Sequence, residues 1–177
     1  MKNQYSLFNV LVLTLALSMP VLAEEGHNHG KTDRSATTFD TITMHYEAIH
    51  EALVEDSIEG VASHAEAIAT AAGSVLNDFN ANKAGVAEAN AGRLQELLPV
   101  ISRSATSLAG AKDLSSARDA FGDLSRNLVQ YREMATGERP KVAYCPMAKK
   151  PWLQDDSKIA NPYYGSNMLR CGSIVSE

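Results

Sequence analysis

The feature that most constrains this chain is the recurrence of apolar residues at three- and four-residue intervals. It is clearest in the series Leu114, Ala117, Phe121, Leu124, Leu128 and Tyr131. This spacing puts all six side chains on one face of a helix. Asp113 precedes the series as a good N-cap, and Gly137 and Pro140 close it. Three earlier stretches follow the same period, with one five-residue step at Ala89–Leu94. Ile42, Tyr46, Ile49 and Leu53 mark a helix from about Phe39 to Val54. Ile58, Val61, Ala65, Ile68, Ala72, Val75 and Phe79 mark a second, with Asp56 and Glu59 as a capping-box pattern at its start. Val86, Ala89, Leu94, Leu97, Ile101, Ala105 and Leu108 mark a third. Pro99 should kink or divide that helix, because it lacks an N–H and crowds the carbonyl near Gln95. The Asn-, Asp- and Gly-rich run 77–85 separates the second helix from the third as a loop. Short connections and alanine-rich faces predict an all-α fold, an antiparallel four-helix bundle over residues 39–137.

From residue 138 to 177 helical periodicity stops, and Pro, Gly, Tyr and Asn become frequent. This segment is expected to be an irregular tail packed against the bundle, as part of the same domain. Val142-Ala143-Tyr144 has the character of a short extended piece, and Asn161-Pro162-Tyr163-Tyr164-Gly165 that of a turn. Trp152, Tyr163, Tyr164 and Leu169 are its expected anchors.

At the other end, Lys2, the apolar stretch Leu7–Leu17, Pro20 and the small residue Ala23 have the layout of a secretory signal, residues 1–23, cleaved after Ala23. No cysteine follows it to carry a lipid. The expected product is periplasmic and free of the membrane. Residues 24–38 are polar and form an expected disordered leader holding His27 and His29. With 16 Lys and Arg against 21 Asp and Glu, the formal net charge is -5. An acidic chain without a basic stripe is not built to bind nucleic acid.

The chemistry concentrates in the tail. The only two cysteines each lie close to a methionine, in Cys145-Pro146-Met147 and Met168-Leu169-Arg170-Cys171. Thiolate and thioether together favour a soft ion, Cu(I) or Ag(I), over zinc. In an extended strand Cys145 and Met147 share a face, and Met168 and Cys171 are spaced for one helical turn. A turn between the clusters would gather Cys145, Met147, Met168 and Cys171 around one ion. The alternative is a Cys145–Cys171 disulfide, which an oxidising compartment permits. It would close a loop of about 26 residues and contribute on the order of 3 kcal/mol. Both readings stand at this level.

Four further residues are accessory candidates. Trp152 is first a hydrophobic anchor, and in a sharper reading an indole face over the cation. His50 is a candidate extra ligand, while His45 and His64 read as polar-face or boundary residues of the first two helices. Cleavage after Glu24 would make Glu25-Gly26-His27 a square-planar Cu(II) site. Cleavage after Ala23 leaves His27 and His29 as loose ligands on a solvated leader. The sequence holds no Gly-rich phosphate loop, nucleophile elbow or zinc-protease motif. Glu47-Ala48-Ile49-His50 matches one half of a bundle di-metal site, with no second copy. The residues therefore describe a binding module and not an enzyme.

The runs Tyr144-Cys145-Pro146-Met147-Ala148, Trp152, Ile159-Ala160-Asn161-Pro162-Tyr163-Tyr164-Gly165-Ser166 and Met168-Leu169-Arg170-Cys171-Gly172 resemble an uncharacterised exported domain family. That family is also found at the C-terminus of periplasmic adaptor subunits of heavy-metal efflux pumps. The helical region resembles it through Tyr46, His50, Leu53, Phe121 and Leu124-Ser125. The resemblance implies a helical fold, copper or silver handling, and an efflux adaptor as partner. The start of the tail is also similar to the Tyr-x-Cys-Pro-Met-His-Pro motif of small heavy-metal-binding modules. Ala148 stands where that motif has His.

Overall fold

The computed structural model describes residues 35–177. The expected signal segment 1–23 and the leader up to residue 34, with His27 and His29, lie outside the described residues.

Helix α1 (Thr38–Val54) starts at a reciprocal cap: Thr37 accepts from the Asp40 amide and the Asp40 carboxylate accepts from the Thr37 amide. Each bond satisfies a donor that the first helical turn would otherwise leave orphaned. Ile42, Tyr46, Ile49 and Leu53 are all buried, as their period requires. Helix α2 (Val61–Asn77) buries Val61, Ala65, Ile68, Ala72 and Val75. The expected capping box at Asp56 and Glu59 does not form. The helix begins behind Gly60, which is left-handed and gives no side-chain cap. Asp56, itself at positive φ, turns its carboxylate to Arg118 and Ser166 instead. Ile58, expected in the core, is 41% exposed.

The run expected as a loop holds a single helical turn, α3 (Ala81–Ala84), capped by Asn80. Helix α4 (Ala91–Ala109) carries Pro99 in its interior without being divided. Helix α5 (Leu114–Met134) has the Asp113 cap as expected. Its Ala117, Phe121, Leu124, Leu128 and Tyr131 are fully buried. The long helices pack in chain order, α1 on α2, α2 on α4 and α4 on α5. Among the described residues, no helix is long and apolar enough to cross a membrane.

The all-α expectation is corrected in the tail, which folds as a small antiparallel sheet of order β2-β1-β3. Strand β1 (Lys141–Cys145) pairs with β2 (Lys150–Gln154) from Lys141 opposite Gln154 to Cys145 opposite Lys150. Its other edge takes β3 (Ser173–Ser176), with a register shift between Val142 and Ala143. The fold is thus mostly helical with a three-stranded sheet. Strands this short leave weak alternation in the sequence, which is why the tail reads as irregular.

The sheet packs against α5 through β2. Trp152, Leu153, Val142, Ala143 and Cys145 join the same apolar core as the helices. Gly122 of α5 makes room for the crossing: a Cβ there would lie 2.5 Å from the Lys150 Cδ. Polar bonds complete the attachment. The Leu153 amide donates to the Tyr46 hydroxyl (3.1 Å), Tyr46 donates to Ser125 (2.7 Å), and Ser125 donates to the Phe121 carbonyl (2.7 Å). Burial pushes the Tyr46 phenol well above its ordinary pKa, so it remains a donor. Arg132, 1% exposed, donates to the Pro140 carbonyl, the Ser176 hydroxyl and the Glu177 carbonyl, holding both ends of the sheet segment. Arg118 donates to the carbonyls of Leu53 and Pro162 and to Asp56.

Candidate metal centre

The two sulfur clusters meet at their cysteines. Cys145 ends β1, and Cys171 closes the turn that leads into β3. Because β3 pairs beside β1, the second cysteine is carried back over the first. Their Sγ atoms lie 4.0 Å apart, and no bond joins them. Cys145 is fully buried and Cys171 is half-buried. Burial raises the Cys171 thiol pKa, and the Cys145 thiol beside it adds to the rise.

Each cysteine is held by backbone bonds. A tight turn follows β1, in which the Lys149 amide donates to the Cys145 carbonyl (2.8 Å). The Ala148 amide donates to Cys145 Sγ (3.3 Å). The turn after β1 therefore aims a backbone N–H at this sulfur. Asn161 holds the other arm. Its amide donates to the Leu169 carbonyl (2.9 Å), and its side-chain NH2 donates to the Cys171 carbonyl (2.6 Å). Its own side-chain oxygen accepts from the Tyr163 amide (2.8 Å). Sequence reasoning assigns Asn161 only to a turn. The signal available was its type: a short side chain with both donor and acceptor can tie a turn to a strand.

The methionines part from their neighbours. Met147 lies in the turn beyond β1, not in the strand, so the shared-face argument does not apply to it. It is 62% exposed, beside a groove lined by Leu114, Arg118 and Tyr164. Met168 is 37% exposed, and its carbonyl accepts from the Cys171 amide (2.9 Å) in a single turn of the kind its spacing predicts. The two thioethers thus sit at the surface, and the thiols below.

Trp152 is fully buried, with its indole N–H donating to Gln154 (2.8 Å) and its ring edge-on to Tyr163. It forms the floor beneath the second cluster. A Cβ at Gly172, next to Cys171, would lie 2.6 Å from the Trp152 ring and 2.9 Å from the Tyr144 carbonyl. Gly172 also has φ +139°, a region open to glycine and strained for other residues. His50 is buried on α1, and its Nε2 donates to the Ala160 carbonyl (2.8 Å). Its Nδ1 has no hydrogen-bond partner and faces Glu47 at 3.5 Å.

Among the described residues, no group of three His, Cys, Asp or Glu side chains is placed to hold one ion. A closed zinc site needs four such ligands. The two thiols alone suit a soft ion that accepts few donors. With metal–sulfur bonds of about 2.3 Å, sulfurs 4.0 Å apart subtend about 120° at the metal. Both thiols must lose a proton to bind it.

His45 and His64 also come together, which their separate positions in the sequence do not signal. Their Nδ1 atoms are 3.0 Å apart across α1 and α2. Partial burial first, and then the nearby His64, keep the His45 pKa below its ordinary value.

No curated protein and no solved structure matches the chain. A family model described as a protein of unknown function (DUF3347) matches residues 42–138, the helical region and not the Cys/Met tail. That match spans more than half of the chain, and the chain belongs to this family.

Proposed function

We propose that this is an exported, periplasmic binding protein for Cu(I) or Ag(I), with Cys145 and Cys171 as its central ligands. The single observation that carries the reading is the 4.0 Å approach of the two sulfurs. The exposed thioethers of Met147 and Met168 join as the outer donors. An ion held by two inner thiolates and two outer thioethers can leave by ligand exchange, as a partner's sulfurs replace the outer pair first. The partner class is a periplasmic adaptor or another component of a metal efflux system. The helices serve as a bundle-like support that fixes the sheet, and the protein buffers or transfers metal without catalysing a reaction.

Cu(I) titration of the reduced chain against a competing chelator tests this. One equivalent is expected to bind. Cys145→Ser or Cys171→Ser is expected to weaken binding by more than about a hundredfold, beyond the loss typical of a supporting group. Unchanged affinity in both variants would overturn the proposal. Unchanged affinity in the Met147→Ala, Met168→Ala double variant would reduce the donor set to the cysteines.

The same approach also supports a second reading. Closing a disulfide to about 2.05 Å requires the sulfurs to move together by only about 2 Å. Cys145–Cys171 would then pin the sheet, and the protein would act as a structural or interaction module of the envelope. Thiol counting on protein taken directly from the periplasm separates the two: two free thiols with bound metal support the first reading, a closed bond the second.

A further inference from the structure

We infer that His45 and His64 form a second metal site, distinct from the sulfur pair, which takes a divalent borderline cation such as Zn(II) or Cu(II). The two imidazoles come from different helices, nineteen positions apart in sequence, and face each other through the same ring nitrogen at 3.0 Å. Their rings are tilted by 45° with centroids 5.3 Å apart, so they meet at their nitrogen edges and are not stacked.

The separation matches what a shared ion requires. With metal–nitrogen bonds of about 2.05 Å, two ligands at a right angle lie about 2.9 Å apart, and two at a tetrahedral angle about 3.3 Å. The observed 3.0 Å falls between these values. Imidazole is a preferred donor for both ions. Without metal, one neutral ring donates its Nδ1 proton to the other. On binding, the donor ring moves that proton to Nε2, both Nδ1 lone pairs face the ion, and no net proton is released.

The supporting backbone is firm on both sides. His45 lies on α1 at the border of the buried stripe formed by Ile42, Tyr46 and Ile49. His64 lies in the first turns of α2, with its amide bonded to the Gly60 carbonyl (3.0 Å). Two protein ligands leave the remaining coordination positions to water or to a donor from another molecule. Such an open site exchanges its ion readily and bridges α1 to α2 while loaded.

The test is Zn(II) titration of the reduced full chain, followed by the side-chain 15N resonances of each histidine. His45 and His64 Nδ1 are expected to shift together at one stoichiometry. In His64→Gln the His45 resonance is expected to stay at its metal-free position, with affinity at this site down by more than about tenfold. The Cys145→Ser, Cys171→Ser double variant is expected to leave the paired shift intact, so failure of the sulfur reading does not touch this one. A shift of neither ring, of one ring alone, or of His45 in the absence of His64 would overturn the inference and leave the pair as a hydrogen bond.

Discussion

The helices and the sheet of this protein are held by different forces. The helices join through long apolar stripes, in which Ile42, Ile49, Ile68, Leu94, Leu98 and Ile101 are fully enclosed. The sheet brings a smaller apolar surface, from Val142, Ala143, Cys145, Trp152 and Leu153, with Tyr163 beside it. The sheet and its flanking turns are fastened to the helices by directed bonds: Tyr46 accepts from the Leu153 amide, and His50, Arg118 and Arg132 donate to the carbonyls of Ala160, Pro162 and Pro140. Apolar contact is tolerant of small shifts. Hydrogen bonds to specific carbonyls and amides are not. The region that places the cysteines is therefore the one held by geometry, and the helices supply the frame.

Phe121 joins the two regions, stacked on Tyr46 at 4.7 Å and tilted against Tyr163 at 6.1 Å. Phe121→Ala should cost about 3–5 kcal/mol and lower the stability of helices and sheet alike, read from denaturant unfolding by circular dichroism. Arg132→Met should cost about 2–3 kcal/mol, since it removes the charged hydrogen bonds that tie the half-buried Pro140 carbonyl and Ser176 hydroxyl to α5. Its effect should be local: alkylation of the buried Cys145 accelerates at denaturant concentrations where the helical signal persists. Simultaneous loss of both signals would break the comparison. Tyr46→Phe should cost about 1–2 kcal/mol, because the Leu153 amide loses its acceptor. It should raise hydrogen exchange at Leu153 more than in α2 or α4.

The smallest effect is that of Asp56, and it depends on pH. Hydrogen bonds from Ser166 first, and then from Arg118, lower its pKa from 3.8 to about 2. A carboxylate depressed in the folded state adds stability that is complete above about pH 4 and fades as pH falls towards 2. Asp56→Asn should flatten that part of the acid unfolding curve by removing a small stabilisation at pH 7, so that the two proteins converge in stability towards pH 2.

Much of the helical region is legible in sequence because helical periodicity is local. Phe121, Leu124 and Leu128 declare their face within a few residues of one another. Asp113 likewise announces the start of α5, since a cap acts on the three residues after it. Asp56 misleads for the opposite reason: it fits a local cap, but Arg118 and Ser166, far away in sequence, are the partners that hold its carboxylate. The sheet is harder to read, because short strands give few alternations and the β1–β3 pairing joins segments about thirty residues apart. In the candidate centre, residue type identifies Cys145 and Cys171 as soft donors. It does not reveal that Asn161 fastens one arm, that Met147 turns outward, or that His45 meets His64.

The sequence by itself determined where the helices lie, which of their faces are buried and which side chains can bind a soft ion, because periodicity and ligand chemistry belong to neighbouring residues. Only the tertiary structure decided that β3 returns beside β1, that two thiols stop 4.0 Å apart, and that two imidazoles face each other across α1 and α2. Those distances depend on packing and hydrogen bonds between segments remote in the chain, where no local pattern records which partner will be met.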